Sequence, residues 1–203
     1  ASHRMLPLCI VADSTHNPPM DHFDPALISV VMPCHNAAPY VEEAVASVLG
    51  QSYPQVELVV VDDGSTDGST EILQRLAADH PGRITLLFQN RNGPIAARNR
   101  ALAHANGNYI AFLDADDTWQ PDALARMHAA LETQPADLAY CGWQATGNAA
   151  TDTQPNIPPE FDAGKAILHL LQQSPWPINS VLIRRPLIDE LRGFSERAPT
   201  AMD

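Results

Sequence analysis

The chain has 203 residues, 45% of them hydrophobic, enough to bury roughly 70% of its unfolded surface around one core, so a single domain is expected. Twelve basic residues against 24 acidic ones give a formal charge of -12. That balance excludes a duplex nucleic-acid partner and disfavours an anionic membrane surface, because both need clustered Lys and Arg.

Lys165 is the one lysine, so the other cations are arginines, planar forks suited to carboxylate or phosphate. Cys9, Cys34 and Cys141 are too scattered for a disulfide framework or a zinc site, which points to a reducing cytosolic compartment. Apolar runs such as Leu58 to Val61 fall far short of the roughly 18 residues of a membrane span. Residues 1–4 read as a tag remnant before Met5. The segment onward to Pro25 is rich in Pro, His and Asp without periodicity, and residues 1–25 are left outside the expected fold.

From residue 26 a repeating grammar begins. Ile28 to Pro33 is a β-branched run stopped by Pro, and Val41, Ala44, Val45 and Val48 then mark a helix face within Tyr40 to Leu49. Val56 to Val61 is apolar without alternation, as in a strand covered on both sides. It runs into Asp62-Asp63-Gly64-Ser65 and a helix carrying Ile72, Leu73 and Leu76. Ile84 to Phe88, Pro94 to Ala105, the stretch Tyr109 to Trp119, whose apolar strand ends in three carboxylates, and Pro121 to Thr133 repeat the alternation. Strand and helix in such alternation require right-handed crossovers, hence an α/β fold with a mostly parallel sheet between two helical layers. Beyond Asp137 the pattern loosens: a strand over Leu138 to Trp143, a polar loop from Gly147 to Pro159, a helix over Asp162 to Gln172, a strand from Ile178 to Ile183, and a helix from Pro186 that Gly193 ends.

Ligands of such sheets sit beyond the carboxyl ends of the strands. Those ends read Pro33-Cys34-His35-Asn36, Asp62-Asp63 and Asp114-Ala115-Asp116. Strand alternation would aim Asp114 and Asp116 the same way, where their repulsion calls for a cation or a shared proton. A hard divalent ion bound by these carboxylates and a substrate's phosphates answers that need, while an acidic turn before a helix is the alternative. Asp117 or Thr118 is expected to cap the helix that Pro121 opens. Arg98 stands where it can swing over the same edge, whereas Arg91 and Arg100 read as solvated charges. Neither Gly-x-Gly-x-x-Gly nor Gly-x-x-x-x-Gly-Lys is present, so no glycine cradle neutralises phosphate here.

The motifs Val-Val-Met-Pro-Cys-His-Asn, Ala46 to Ser52, Val-Val-Val-Asp-Asp-Gly-Ser-Thr-Asp-Gly-Ser-Thr, Asn92 to Asn99 and Phe-Leu-Asp-Ala-Asp-Asp follow one another across Ile28 to Trp119. In this order they resemble the family 2 glycosyltransferases of the GT-A fold, and Asn179 to Arg185 with Gly193 to Glu196 continue the likeness more weakly. The resemblance implies a nucleotide-binding half over about 26–120 and an acceptor-side half over about 121–203, in a chain that stops where the family continues with further helices. It places Pro33, His35 and Asn36 against the nucleotide base and Asp63 where a carboxylate accepts from the base imide, a donor that cytosine lacks. It places Arg98 near base and phosphates, and Asp114 and Asp116 at the Asp-x-Asp signature that holds Mn2+ or Mg2+, with Asp116 the direct ligand. Asp62 orders the loop, and His35 stands where Tyr is common, which removes a tyrosine hydroxyl contact.

The resemblance further implies inverting transfer of a sugar from a UDP-sugar to a glycan, lipid-linked or other hydroxyl acceptor in bacterial polysaccharide synthesis, in the cytosol at the inner membrane face. The spacing from Gly193 places the family's general base at Asp203, with Met202 replacing the usual Glu. Two other functions compete: a sugar nucleotidyltransferase, for which Pro33 to Asn36 lacks glycines and basic residues, and a non-catalytic sugar-nucleotide or glycan binding module. Trp143 reads as core, while Trp176, between Pro175 and Pro177, is open between core and sugar stacking.

Overall fold

The structure, a computed structural model, describes residues 2–13, 23–146, 154–157 and 177–194. In chain order its elements are β1 (Ser2–Asp13), β2 (Asp24–Cys34), α1 (Val41–Leu49), β3 (Val56–Asp63), α2 (Ser69–Asp79), β4 (Ile84–Gln89) and α3 (Pro94–Leu102). Then follow β5 (Gly107–Phe112), α4 (Ala123–Thr133), β6 (Ala136–Thr146), a 3-10 turn (Ile178–Ser180), β7 (Val181–Arg184) and α5 (Arg185–Leu191). One sheet contains all the strands, in the order β1-β6-β7-β5-β2-β3-β4. β2 pairs in parallel with β3 and β5, and β3 in parallel with β4. β7 lies antiparallel between β5 and β6, and β1 runs antiparallel along β6. Only β1 and β7 oppose the other strands, which is the mostly parallel sheet expected from the alternation.

The unbroken apolar runs occupy the middle of the sheet because both faces there are covered. Val30, Met32, Leu58 and Val60 pack on one side against Val41, Val45 and Val48 of α1, Leu73 of α2 and Leu124, Met127 and Leu131 of α4. Val31, Val59, Val61, Ile110 and Phe112 pack on the other against Ala97 and Ala101 of α3 and Ile188 of α5. Neighbouring strand residues thus serve opposite layers, as the pleat requires.

Three expectations need correction. The segment set aside as irregular contributes β1, whose backbone pairs with β6 from Ser2↔Thr146 to Asp13↔Ala136, and β2 already begins at Asp24. A ladder partner supplies what sequence periodicity does not. The strand expected from Ile178 starts only at Val181, because Ser180 N–H turns back to the Pro177 carbonyl at 3.0 Å. The last helix starts at Arg185 rather than Pro186. The helix expected over Asp162 to Gln172 lies outside the described residues.

The amino ends of the strands are closed by side chains far from the cleft. Arg185 donates to the Gly107 and Ala105 carbonyls at 2.8 and 2.6 Å and stacks on Phe23. Arg184 donates to the Tyr109 hydroxyl at 2.8 Å and to Glu132 at 2.9 Å. Burial and the Glu132 carboxylate push the Tyr109 hydroxyl up to about 12. His128 packs between the rings of Tyr53 and Tyr109, with centroids 4.6 and 4.7 Å away.

Burial pushes the pKa of His128 below its usual value, so the folded chain keeps the ring neutral while the unfolded chain takes up a proton near pH 6.5. Its contribution to stability is therefore full above that pH and is lost as pH falls further. Urea midpoints measured from pH 7.5 to 5 should fall less steeply for His128→Gln than for the unmodified chain. Identical slopes would show that His128 is not a source of the loss.

Candidate nucleotide-binding site

The carboxyl ends of β2, β3 and β5 meet α3 around a cleft of about 910 Å³. Pro33, His35, Asn36, Asp63, Arg98, Asp114 and Asp116 all line it, so the candidates from the first half of the chain share one space. Tyr40 and Arg91 line it as well, which the sequence reading missed, and Phe112, Ile183, Ile188 and Phe194 add apolar surface.

The loop after β2 leaves the sheet with backbone N–H groups that need partners. Residues after β3 supply them: Asn36 N–H donates to Ser65 Oγ at 3.1 Å, Ala37 N–H to Ser69 Oγ at 2.9 Å, and Ala38 N–H to Asp67 Oδ2 at 3.0 Å. The Ser69 hydroxyl, with the Ala38 and Ser69 amides, holds the Asp67 carboxyl below its usual range. Ser65, Asp67 and Ser69 are therefore architectural, and their alternate spacing in Ser-Thr-Asp-Gly-Ser was the available signal. Asn36 adopts a positive φ of 52°, a conformation Asn tolerates better than most residues, and its Oδ1 accepts from Thr66 N–H at 2.8 Å. That bond turns its Nδ2 toward His35 Nε2, at 3.3 Å. His35 Nδ1–H donates to the Asp63 carbonyl at 2.9 Å, since a carbonyl can only accept. The ring is thereby fixed in one tautomer and one orientation.

Asp62 orders the loop that follows it, accepting from Ser65 N–H at 2.9 Å and Thr70 Oγ1 at 2.5 Å. Asp63 is 3% exposed and accepts from Gln89 Nε2 and Asn92 N–H, each at 2.7 Å, and from Gly93 N–H at 2.8 Å. Gly93 precedes Pro94, the first residue of α3, so the Asp63 carboxylate fixes where that helix begins. The family resemblance gives Asp63 a ligand alone; in the structure it also holds β4 and α3.

β5 ends at Phe112, so Asp114 and Asp116 do not stand on an alternating strand. They stand on a turn closed by Asp117 N–H onto the Asp114 carbonyl at 3.0 Å. Arg98 Nη2 meets Asp114 Oδ1 at 2.6 Å, with the Arg98 side chain 4% exposed and that of Asp114 35%. Asp116 is exposed at the turn's apex. Asp117 does not cap a helix: it is buried and accepts from Asn179 Nδ2, and Asp122 occupies the cap position of α4. Among the described residues no group of three or more His, Cys, Asp or Glu is placed to hold a metal. Two carboxylates on one turn fit a hard divalent cation only as part of a shell that ligand oxygens and water complete.

α3 also reaches the second half of the chain. Asn99 Oδ1 accepts from Phe194 N–H and its Nδ2 donates to the Phe194 carbonyl, both at 2.9 Å. Phe194 then lies edge-on against Phe112, with centroids 5.2 Å apart. Gly193 has a φ of +73°, and a Cβ there would meet Asn99 Oδ1 at 2.8 Å, so this approach requires glycine. Arg100 is exposed as expected; Arg91, also exposed, edges the cleft. Trp143 is half-buried against the core and pairs with Asn156, while Trp176 and Asp203 lie outside the described residues.

The family model for glycosyl transferase family 2 matches residues 29–189. The chain is 37% identical over 125 residues to the putative teichuronic acid biosynthesis glycosyltransferase TuaG of Bacillus subtilis, covering 62% of this chain and 50% of that one. It is likewise 37% identical over 172 residues to an uncharacterized glycosyltransferase of Haemophilus influenzae, covering 82% and 65%. The chain thus spans about half to two thirds of these relatives' length. Among solved structures, S. aureus TarS 1-349 in complex with UDP superposes with a TM-score of 0.68 at 24% identity, over 86% of this chain and 52% of TarS. The mannosyltransferase PcManGT from Pyrobaculum calidifontis, solved with GDP-Man and Mn2+, gives 0.63 at 25% identity over 89% and 52%. The sheet is that of the GT-A glycosyltransferases, and the chain belongs to glycosyl transferase family 2.

Proposed function

We propose that the cleft binds a nucleoside-diphosphate sugar, with UDP as the nucleotide, and that the protein transfers the sugar with inversion to an acceptor hydroxyl. The observation that carries this reading is the meeting of Asp63, Arg98, Asp114 and Asp116 in one cleft at the carboxyl edge of the sheet. Pro33 and the fixed ring of His35 offer the base a rigid wall. Asp63 has three chain donors, and a carboxylate has about four acceptor positions. The remaining position suits the imide N–H of uracil. TarS, solved with UDP, supports uridine, and TuaG, named for teichuronic acid biosynthesis, supports a role in bacterial polysaccharide assembly.

Asp114 and Asp116 would hold the divalent ion, Mn2+ or Mg2+, which when bound takes up charge developing on the diphosphate leaving group. Arg98 orients Asp114 through their ion pair and adds positive charge beside the phosphates. For the base that takes the acceptor proton we keep Asp203. Following the family likeness, we place the reaction in the cytosol. Among the described residues no helix is long and apolar enough to cross a membrane. The thiols of Cys34 and Cys141 are buried, and burial pushes Cys34 up to about 11.

An acidic cleft repels a bare diphosphate, so calorimetry should show UDP binding at least tenfold tighter with Mn2+ than with chelator, a gap of about 1.4 kcal/mol. Equal affinities would contradict the reading. Asp116→Asn should remove that gap while leaving the melting temperature unchanged or slightly raised, because one like charge is gone from an exposed turn. A variant that still binds UDP with full Mn2+ dependence would take Asp116 out of the site. In a transfer assay on the whole protein, Asp203→Asn should lower kcat on the order of 10² to 10⁴. Unchanged kcat would send the search for a base elsewhere in the second half of the chain.

A further inference from the structure

We propose that Asn179 is a positioning residue for the acidic turn, holding Asp117 so that Asp114 and Asp116 keep the arrangement a divalent cation and a diphosphate require. This rests on the nucleotide-sugar reading of the cleft and adds to it a residue from the acceptor-side segment. Asn179 stands in the 3-10 turn before β7, separated by 62 positions from Asp117. Both are buried, with Asn179 2% and Asp117 4% exposed. Because a carboxylate can only accept, Nδ2 is the atom Asn179 turns toward Asp117, and its amide orientation is set.

The same residue is fastened a second time. Its main-chain carbonyl accepts from Trp119 Nε1 at 2.8 Å, just past the turn. Asp117 N–H closes the turn on the Asp114 carbonyl, and Arg98 holds the Asp114 carboxylate from α3. The turn is thus gripped on one side by α3 and on the other by the segment before β7, with Asp116 exposed at its apex. Asn179 Oδ1 is buried without a hydrogen-bond partner among the described residues. An apolar side chain would avoid that cost but would take the Nδ2 donor away from a buried carboxylate, which is dearer still. Pro177, Ile178 and Val181 line the cleft around it, so the segment that shapes the second half of the cleft also sets the acidic turn.

The test is the ratio of UDP affinity with Mn2+ to that with chelator, because a general loss of structure lowers both affinities and leaves the ratio unmoved. Asn179→Ala should reduce that ratio by about tenfold, as expected when a partner behind the metal ligands is lost. The exchanged pair Asp117→Asn with Asn179→Asp restores one donor and one acceptor and should recover the ratio to within about threefold of the unmodified chain. A folded Asn179→Ala chain with the full ratio overturns the proposal, as does a folded exchanged pair that fails to recover it. Should Asn179→Ala not fold, the exchanged pair decides alone. A ratio of one in the unmodified chain overturns the nucleotide-sugar reading itself, and the role of Asn179 with it.

Discussion

The buried carboxylate of Asp63 is the constraint on which the cleft depends. Its two oxygens hold Gln89 of β4 and the backbone amides of Asn92 and Gly93, while its own carbonyl receives His35. One residue at the tip of β3 therefore fixes the edge strand, the start of α3 and the ring at the mouth of the cleft. Hydrogen bonds to a charged group contribute roughly 1.5–3 kcal/mol each. Loss of this carboxylate would loosen the whole rim rather than one contact.

What α3 carries follows from where it starts. Arg98, one turn in, reaches Asp114, and Asn99 beside it clamps the Phe194 backbone. The Asp114 carboxylate and the second half of the chain are thereby tied to the same nine-residue helix. The buried parts of this arrangement, Asp63, Arg98 and Asp117, are held in place, whereas the part left exposed is Asp116. That division suits a site whose framework is set before a charged ligand arrives, so little ordering remains to be done on binding.

The parallel part of the fold was legible because strands buried on both faces read as unbroken Val, Leu and Ile, and each is followed by a helix with a clear apolar stripe. The polar strand tips were legible for the same reason, since three of them had to fall on one edge. What escaped the sequence reading depends on partners distant in the chain. Asp117 looks like a helix cap until Asn179 is seen against it, and the role of Asn99 shows only when Phe194, 95 positions later, folds onto it. β1 carries no periodic signal because its backbone partner β6 supplies its reason to be extended. Asp63 stands out in the sequence as an acid at a strand tip, but the three donors that claim its carboxylate come from β4 and the loop before α3, and no local pattern announces them.

The most direct measurement is a crystal structure of the chain with UDP and Mn2+, with manganese located by its anomalous scattering. The proposed chemistry predicts a single strong manganese peak in direct contact with an Asp116 carboxylate oxygen and with the UDP phosphates, and the uracil between Pro33, His35 and Asp63. A manganese peak away from the Asp114–Asp117 turn, or UDP bound outside this cleft, would contradict it.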